Sequence, residues 1–198
     1  MPRRCASPVA STQSDLLVLS ASVLTGATNH ITSVKDNTGK SSTKVGTWSV
    51  SGHNSDGELW YSANSPSITS VTATLAAGVS TAVQVEEFSG IATSSPLDVG
   101  TGQSMTSNAA SSLPVTPGAG NELVIGFVAG HANTEAITIT SAGFMMPLPK
   151  TTSGSGTSST SVISGYEVLG TPSAQSFTAT FTTAMYWASG IAAFKAAG

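Results

Sequence analysis

The residues best suited to chemistry gather between positions 48 and 60, where the chain places Trp48, His53, Asn54, Asp56, Glu58 and Trp60. Indole faces stack on sugar rings and flanking Asn or Asp side chains bond their hydroxyls, so this group is a candidate glycan-binding surface. On an extended strand Trp60 shares a face with Glu58 and opposes Leu59 and Tyr61, which predicts a solvent-side indole beside a carboxylate. The competing expectation is that Trp48 and Trp60 simply cap the edge of a core.

Acid and base catalysis on polysaccharides needs two carboxylates across a cleft. Glu86 and Glu87 are adjacent, so on a strand they point to opposite faces and do not form that pair. Glu87 lies on the side of Val83 and Val85 and is the expected partly buried carboxylate, fixed by a cation or several donors. A jelly-roll enzyme would use Glu58 or Glu87 as its acid or base. The wider motifs are missing: no Gly-x-Ser-x-Gly elbow surrounds Ser155, and there is no His-Glu-x-x-His, phosphate loop or dinucleotide fingerprint. No catalytic residue is assigned, and the balance is against an enzyme.

Metal sites fare no better. His30, His53 and His131 fall in or beside predicted loops; His30 and His131 follow similar strands and would approach one end of the fold, but no Asp or Glu sits at ligand spacing. Asp36-Asn37-Thr38-Gly39 and Asn54-Ser55-Asp56-Gly57 offer hard oxygens to calcium, yet such turns form for backbone reasons alone. No cofactor is expected, calcium being the one ion worth testing. Cys5, the single cysteine, excludes an intramolecular disulfide.

The elements that would position these residues are written twice. Asp15-Leu16-Leu17-Val18-Leu19 matches Asn121-Glu122-Leu123-Val124-Ile125, Ile31 matches Ile139, Tyr61 matches Tyr166, Val71 to Leu75 match Phe177 to Phe181, and Phe88 matches Phe194. Trp60 has no aromatic counterpart; Gly165 stands in its place. Short alternating runs separated by Asn, Asp, Gly and Pro predict strands at 16–22, 31–35, 43–50, 58–64, 70–75 and 81–88, repeated from 122 to 194. The expected fold is an all-β antiparallel sandwich, jelly-roll-like, formed as one domain over 1–198 from repeat halves at 15–90 and 121–196. The link 91–120 contains Pro96, Pro114 and Pro117 and is no central strand, although 104–115 is a candidate edge strand and 6–11 its match before the first half. Val71, Ala73, Leu75, Phe177, Ala179 and Phe181 are the expected core, in one interior shared by both halves.

Residues Glu87-Phe88-Ser89-Gly90-Ile91-Ala92-Thr93-Ser94-Ser95-Pro96-Leu97-Asp98, with Asn121 to Gly126, Ile191 to Lys195 and the turn Val34 to Gly39, resemble an uncharacterised Ser/Thr-rich β-sandwich domain. That domain recurs in bacterial extracellular and surface proteins and in some phage tail proteins. The resemblance implies a sandwich fold and a location at a cell or virion surface, and it implies no catalytic residues.

Composition narrows the partners. Of 198 residues only 9% are charged and the net charge is −3, with seven Lys and Arg in all, so no basic stripe exists to neutralise a phosphate backbone. Arg3 and Arg4 read as a solvated terminus. The apolar run 16–24 is a repeated strand rather than a signal peptide, and no run reaches the roughly 18 residues of a membrane span. The first expectation is a non-catalytic extracellular or virion-surface module that acts by structure, adhesion or self-assembly into a homo-oligomer. A carbohydrate-binding module is second and a polysaccharide-active enzyme third.

Overall fold

The computed structural model describes the backbone of residues 3–8 and all of residues 12–25, 29–53, 55–131 and 136–198. Thirteen strands account for the described secondary structure apart from one short 3-10 turn. In the first half these are β1 (Arg3–Pro8), β2 (Asp15–Val23), β3 (Ile31–Asp36), β4 (Thr43–Ser49), β5 (Asp56–Ser65), β6 (Ser70–Leu75) and β7 (Thr81–Phe88). In the second they are β8 (Leu97–Ser111), β9 (Glu122–His131), β10 (Ile137–Ile139), β11 (Thr151–Ser153), β12 (Thr160–Leu169) and β13 (Thr178–Phe194). Arg3 and Arg4, expected in a solvated terminus, belong to a paired strand, and β1 begins three residues before the position read from the sequence.

The two halves share one strand arrangement, as two separate sheets in the first and as one continuous six-stranded sheet in the second. The first half orders its strands β1-β6-β3 and β4-β5-β2-β7. In the second half, β13 does the work of two strands: Thr178–Phe181 lies against β10 and the end of β8, and beyond a register shift Trp187–Phe194 lies between β9 and the rest of β8. The orders β8-β13-β10 and β11-β12-β9-β13 follow, with β8 extending the larger sheet. Every pairing is antiparallel.

Register fixes the repeat residue by residue. Val18 lies between Tyr61 and Glu86, and Ile125 lies between Tyr166 and Ala192. Leu16 faces Phe88 as Leu123 faces Phe194, and Leu19 faces Trp60 as Gly126 faces Gly165. One match needs correcting. Ile31 pairs with Leu75 and Ile137 pairs with Phe181, so Ile137, not Ile139, is the counterpart of Ile31. A strand pattern of period two looks the same when it slips by two residues, and only pairing resolves it.

The sheets stack in four layers around three apolar interiors rather than the single one expected. Leu17, Leu19, Trp60, Val71 and Leu75 fill the interior of the first half. Val124, Val128, Phe177, Phe181, Trp187 and Ile191 fill that of the second. Between them, Leu16, Val18 and Leu59 meet Leu123, Ile125, Phe127 and Phe194 in a seam that joins the halves. The residues chosen as core from alternation are buried, but they serve the two outer interiors. The seam itself is reciprocal: the Tyr61 ring meets Phe194 edge-on at 5.4 Å, and the matching Tyr166 meets Phe88 at 5.1 Å. Such exchange of equivalent contacts is the signature of a two-fold interface, here within one chain.

Close approach across the seam is set by glycine. A Cβ added at Gly57 would stand 2.9 Å from both Ala188 Cβ and Phe127 Cε2. Gly57→Val is therefore expected to cost about 1–3 kcal/mol through overpacking, whereas Gly170→Ala, with open space around it, should stay within about 0.5 kcal/mol. Chemical denaturation of both variants checks this, and equal effects would contradict a tightly packed seam.

Candidate functional site

The described residues of the predicted glycan surface do not form one surface. Asp56, Glu58 and Trp60 point from β5 into the first half, whereas Trp48 on β4 points into the seam and His53 lies in the loop between the two strands. Asn54 lies outside the described residues. The expected solvent-side indole is wrong: Trp60 is only 7% exposed, because a second sheet covers the face of β5 that a two-layer fold would leave wet.

Asp56, Glu58 and Trp60 form a buried acidic cluster. Glu58 is fully buried; its Oε1 accepts the Ile31 N–H at 2.9 Å, and its Oε2 accepts the Trp60 Nε1–H at 3.0 Å and an ion pair from Lys44 Nζ at 2.7 Å. Lys44 also sits 4.6 Å over the Trp60 ring and donates to Asn29 Oδ1 at 3.0 Å. Three donors, one of them a cation, satisfy the buried Glu58 side chain. Asp56, two residues away on the same face, accepts the Thr47 hydroxyl at 2.9 Å. Burial first, and the Glu58 charge second, push the Asp56 carboxyl up to about 7. Two neighbouring carboxyls, one of them raised, can serve as an acid and a base. Here both groups are inaccessible to any substrate, so the pair is structural, and geometry decides before titration does.

Trp48 lies in β4, half-buried in the seam with its ring 6.0 Å from Phe127. Gly46, Gly102 and Gly190 form its slot; a Cβ at Gly102 would stand 2.5 Å from the Trp48 ring. His53 is exposed and stacks on Tyr186 at 4.0 Å, and His131 approaches the same ring from 6.1 Å. His30 is elsewhere, its Nε2 beside the Ala77 carbonyl at 3.1 Å, so the expected approach of His30 to His131 is replaced by a His53–Tyr186–His131 group. No cluster of three or more metal-ligating side chains occurs among the described residues.

The turn oxygens proposed for calcium have backbone partners. Asp36 Oδ1 accepts Thr38 N–H at 2.8 Å and Lys40 N–H at 2.9 Å, and Asn37 Oδ1 accepts Thr69 N–H at 2.8 Å. Asp56 begins strand β5 rather than sitting in a turn.

Glu87, the expected partly buried carboxylate, is half-buried and accepts the Thr12 N–H at 2.5 Å. Glu86, which the sequence did not single out, is buried more deeply, at 6% exposure, because its face of β7 looks into the seam. Next to it Gln84 clamps the halves together: its Oε1 accepts the Ser164 N–H at 2.8 Å and hydroxyl at 2.7 Å, and its Nε2 donates to the Pro149 carbonyl at 2.7 Å. Ser22 and Thr160 join hydroxyls across the same seam at 2.5 Å. The signal for this polar end was present in Ser20, Ser22, Gln84 and Glu86 alternating with apolar neighbours, but only a covered second face makes it meaningful.

Comparison with family models, curated proteins and solved structures finds no match. The class rests on the fold alone: an antiparallel β-sandwich, duplicated and packed back on itself.

Asp56 and Glu86 both keep their protons up to about 7 when folded, against 3.8 and 4.5 for the free side chains. Between those values the unfolded chain has released protons that the folded one retains, so the contribution of these two groups to stability is full below about pH 4, falls as pH rises, and levels off above about 7. Asp56→Asn keeps an oxygen for Thr47 and gains an N–H for Glu58. It should flatten part of this slope and stabilise the protein at pH 8 by at least about 1 kcal/mol relative to its effect at pH 4. Denaturation at the two pH values measures it; a larger gain at pH 4 would reverse the assignment.

Proposed function

We propose that the chain is a non-catalytic structural module of an extracellular or virion surface, acting by self-association through the free edge of β8. The observation that carries this reading is the character of that edge. β8 runs for 15 residues and pairs only with β13 among the described strands. After Asp98 it carries no charge and no proline through Ser111.

Edge strands normally avoid such exposure by charge, proline or shortness. The other edges here do so. β1 carries Arg3, Arg4 and Pro8, β3 carries Lys35 and Asp36, β4 carries Lys44 and β7 carries Glu87, while β10 and β11 have three residues each. Two copies placing β8 against β8 about a two-fold axis would continue one sheet through both molecules, with main-chain bonds supplying affinity. The low charge and Ser/Thr-rich composition favour an extracellular or virion surface.

The rival readings lose their specific residues. A glycan has no platform in Trp48 or Trp60, whose rings face interiors, and Glu58 has no access to a substrate.

Light scattering after size exclusion is expected to give a dimer or larger species at about 1 mM protein. Met105 and Thr106 are exposed on β8, so Met105→Lys with Thr106→Lys should return the protein to a monomer with its melting temperature unchanged. A wild-type protein that stays monomeric throughout would end the proposal.

A further inference from the structure

Beyond Gln84 the seam opens. Between β7 and β12 lies a cavity of about 230 Å³ whose walls include Glu86, Phe88, Pro147, Leu148 and Tyr166. Phe88 and Tyr166 stand edge to face at 5.1 Å and form one side. A second hollow continues from it past the same two rings toward Asn121 and Val168. Glu86, 6% exposed, is part of the wall, and its Oε1 has no hydrogen-bond partner. Gln84, the adjacent side chain on this face, already engages Ser164 and Pro149.

A buried carboxyl oxygen without a donor is costly, and a ligand that supplies one relieves that cost. The charge of the lining decides what kind. Its ionisable carboxyls are Glu86 and Glu87, Tyr166 is the other titratable group, and it contains no basic side chain. Aromatic faces beside a carboxylate favour a cation, which gains from both the charge and the rings. A carboxylate counter-ion is best met by an N–H donor, which a quaternary ammonium lacks. We propose that this cavity binds a primary ammonium group, borne by a free alkylamine or by the lysine side chain of a partner, with Glu86 as counter-ion and Phe88 and Tyr166 as walls.

Burial pushes the Glu86 carboxyl up to about 7. A bound cation holds it ionised, so binding expels a proton and tightens with pH. A group that titrates near 7 is about tenfold more ionised at pH 8 than at pH 6, and affinity should rise by about the same factor.

The test follows the Glu86 carboxyl carbon by NMR in protein labelled at glutamate. The probes are n-butylammonium, n-butanol and a lysine tripeptide with blocked termini. n-Butylammonium is expected to shift the Glu86 resonance, to lower its titration midpoint and to bind about tenfold more tightly at pH 8 than at pH 6. Tighter binding of the tripeptide than of the amine would identify a partner's lysine as the source; the reverse would identify a free amine. Glu86→Gln should abolish binding, and Tyr166→Phe should retain it. If Glu86→Gln does not fold, the wild-type titration still decides. Equal binding of n-butanol, or a Glu86 resonance that n-butylammonium leaves unmoved, overturns the proposal.

Discussion

Strand β2 is dry on both sides, and the rest of the molecule answers that fact. Leu16 and Val18 point into the seam, Leu17, Leu19, Ala21 and Val23 point into the first half, and every residue from Leu16 to Val23 is buried. A strand of this kind belongs in a sheet covered on both faces. β9 makes the same demand with Leu123, Ile125, Phe127 and Ala129 toward the seam and Val124 and Val128 away from it. Each half can cover one face of its larger sheet with its own smaller sheet. The other face has only the opposite half to meet, and the four layers follow. Central layers leave few positions for charge, so acidic groups placed there are either paired, as Glu58 is with Lys44, or held protonated, as Asp56 and Glu86 are near neutrality.

What could be read before folding was the periodic part. The duplication, the matched tyrosines and phenylalanines, and the antiparallel sandwich are all visible because each repeats a pattern that alternates with period two. The number of layers was not visible. Alternation marks which residues share a face but not whether both faces are covered, and Leu16 to Leu19 read equally well as a strand with one strong core side. Misplacing the solvent misplaced the site. Trp60 was set toward water and the deeper burial of Glu86 went unread, both for want of the second covering layer. The cavity beside Glu86 depends on Pro147 and Leu148, which lie far along the chain in a stretch without regular alternation.

The seam is symmetric in position but not in chemistry. Gly190 in the second half stands where Gln84 stands in the first, and Ala192 where Glu86 stands, as their partners Phe127 and Ser20, and Ile125 and Val18, establish. One end is therefore packed by Trp48 and Phe127 against glycines. The other is held by Ser22, Gln84, Ser164 and Thr160 and opens into the cavity. A duplicated interface of this kind has two equivalent ends available, and divergence can make one rigid while the other becomes a pocket.

The same register explains the tryptophan that has no counterpart. Leu19 and Trp60 face each other in the first half where Gly126 and Gly165 face each other in the second. Two large side chains have been exchanged for none, and a packed interior does not tolerate such a void. The missing volume is returned from the opposing sheet, where Phe177 occupies the place of Val71: a Cβ added at Gly165 would meet the Phe177 ring at 3.1 Å, and one at Gly126 would overlap it. Trp60 with Val71, and Phe177 with two glycines, are alternative fillings of one architectural space. An unmatched aromatic in a repeat is thus explained by the interior it completes. In the first half that filling brought an indole N–H with it, and Glu58, at the position Ile163 holds in the second half, supplies its acceptor.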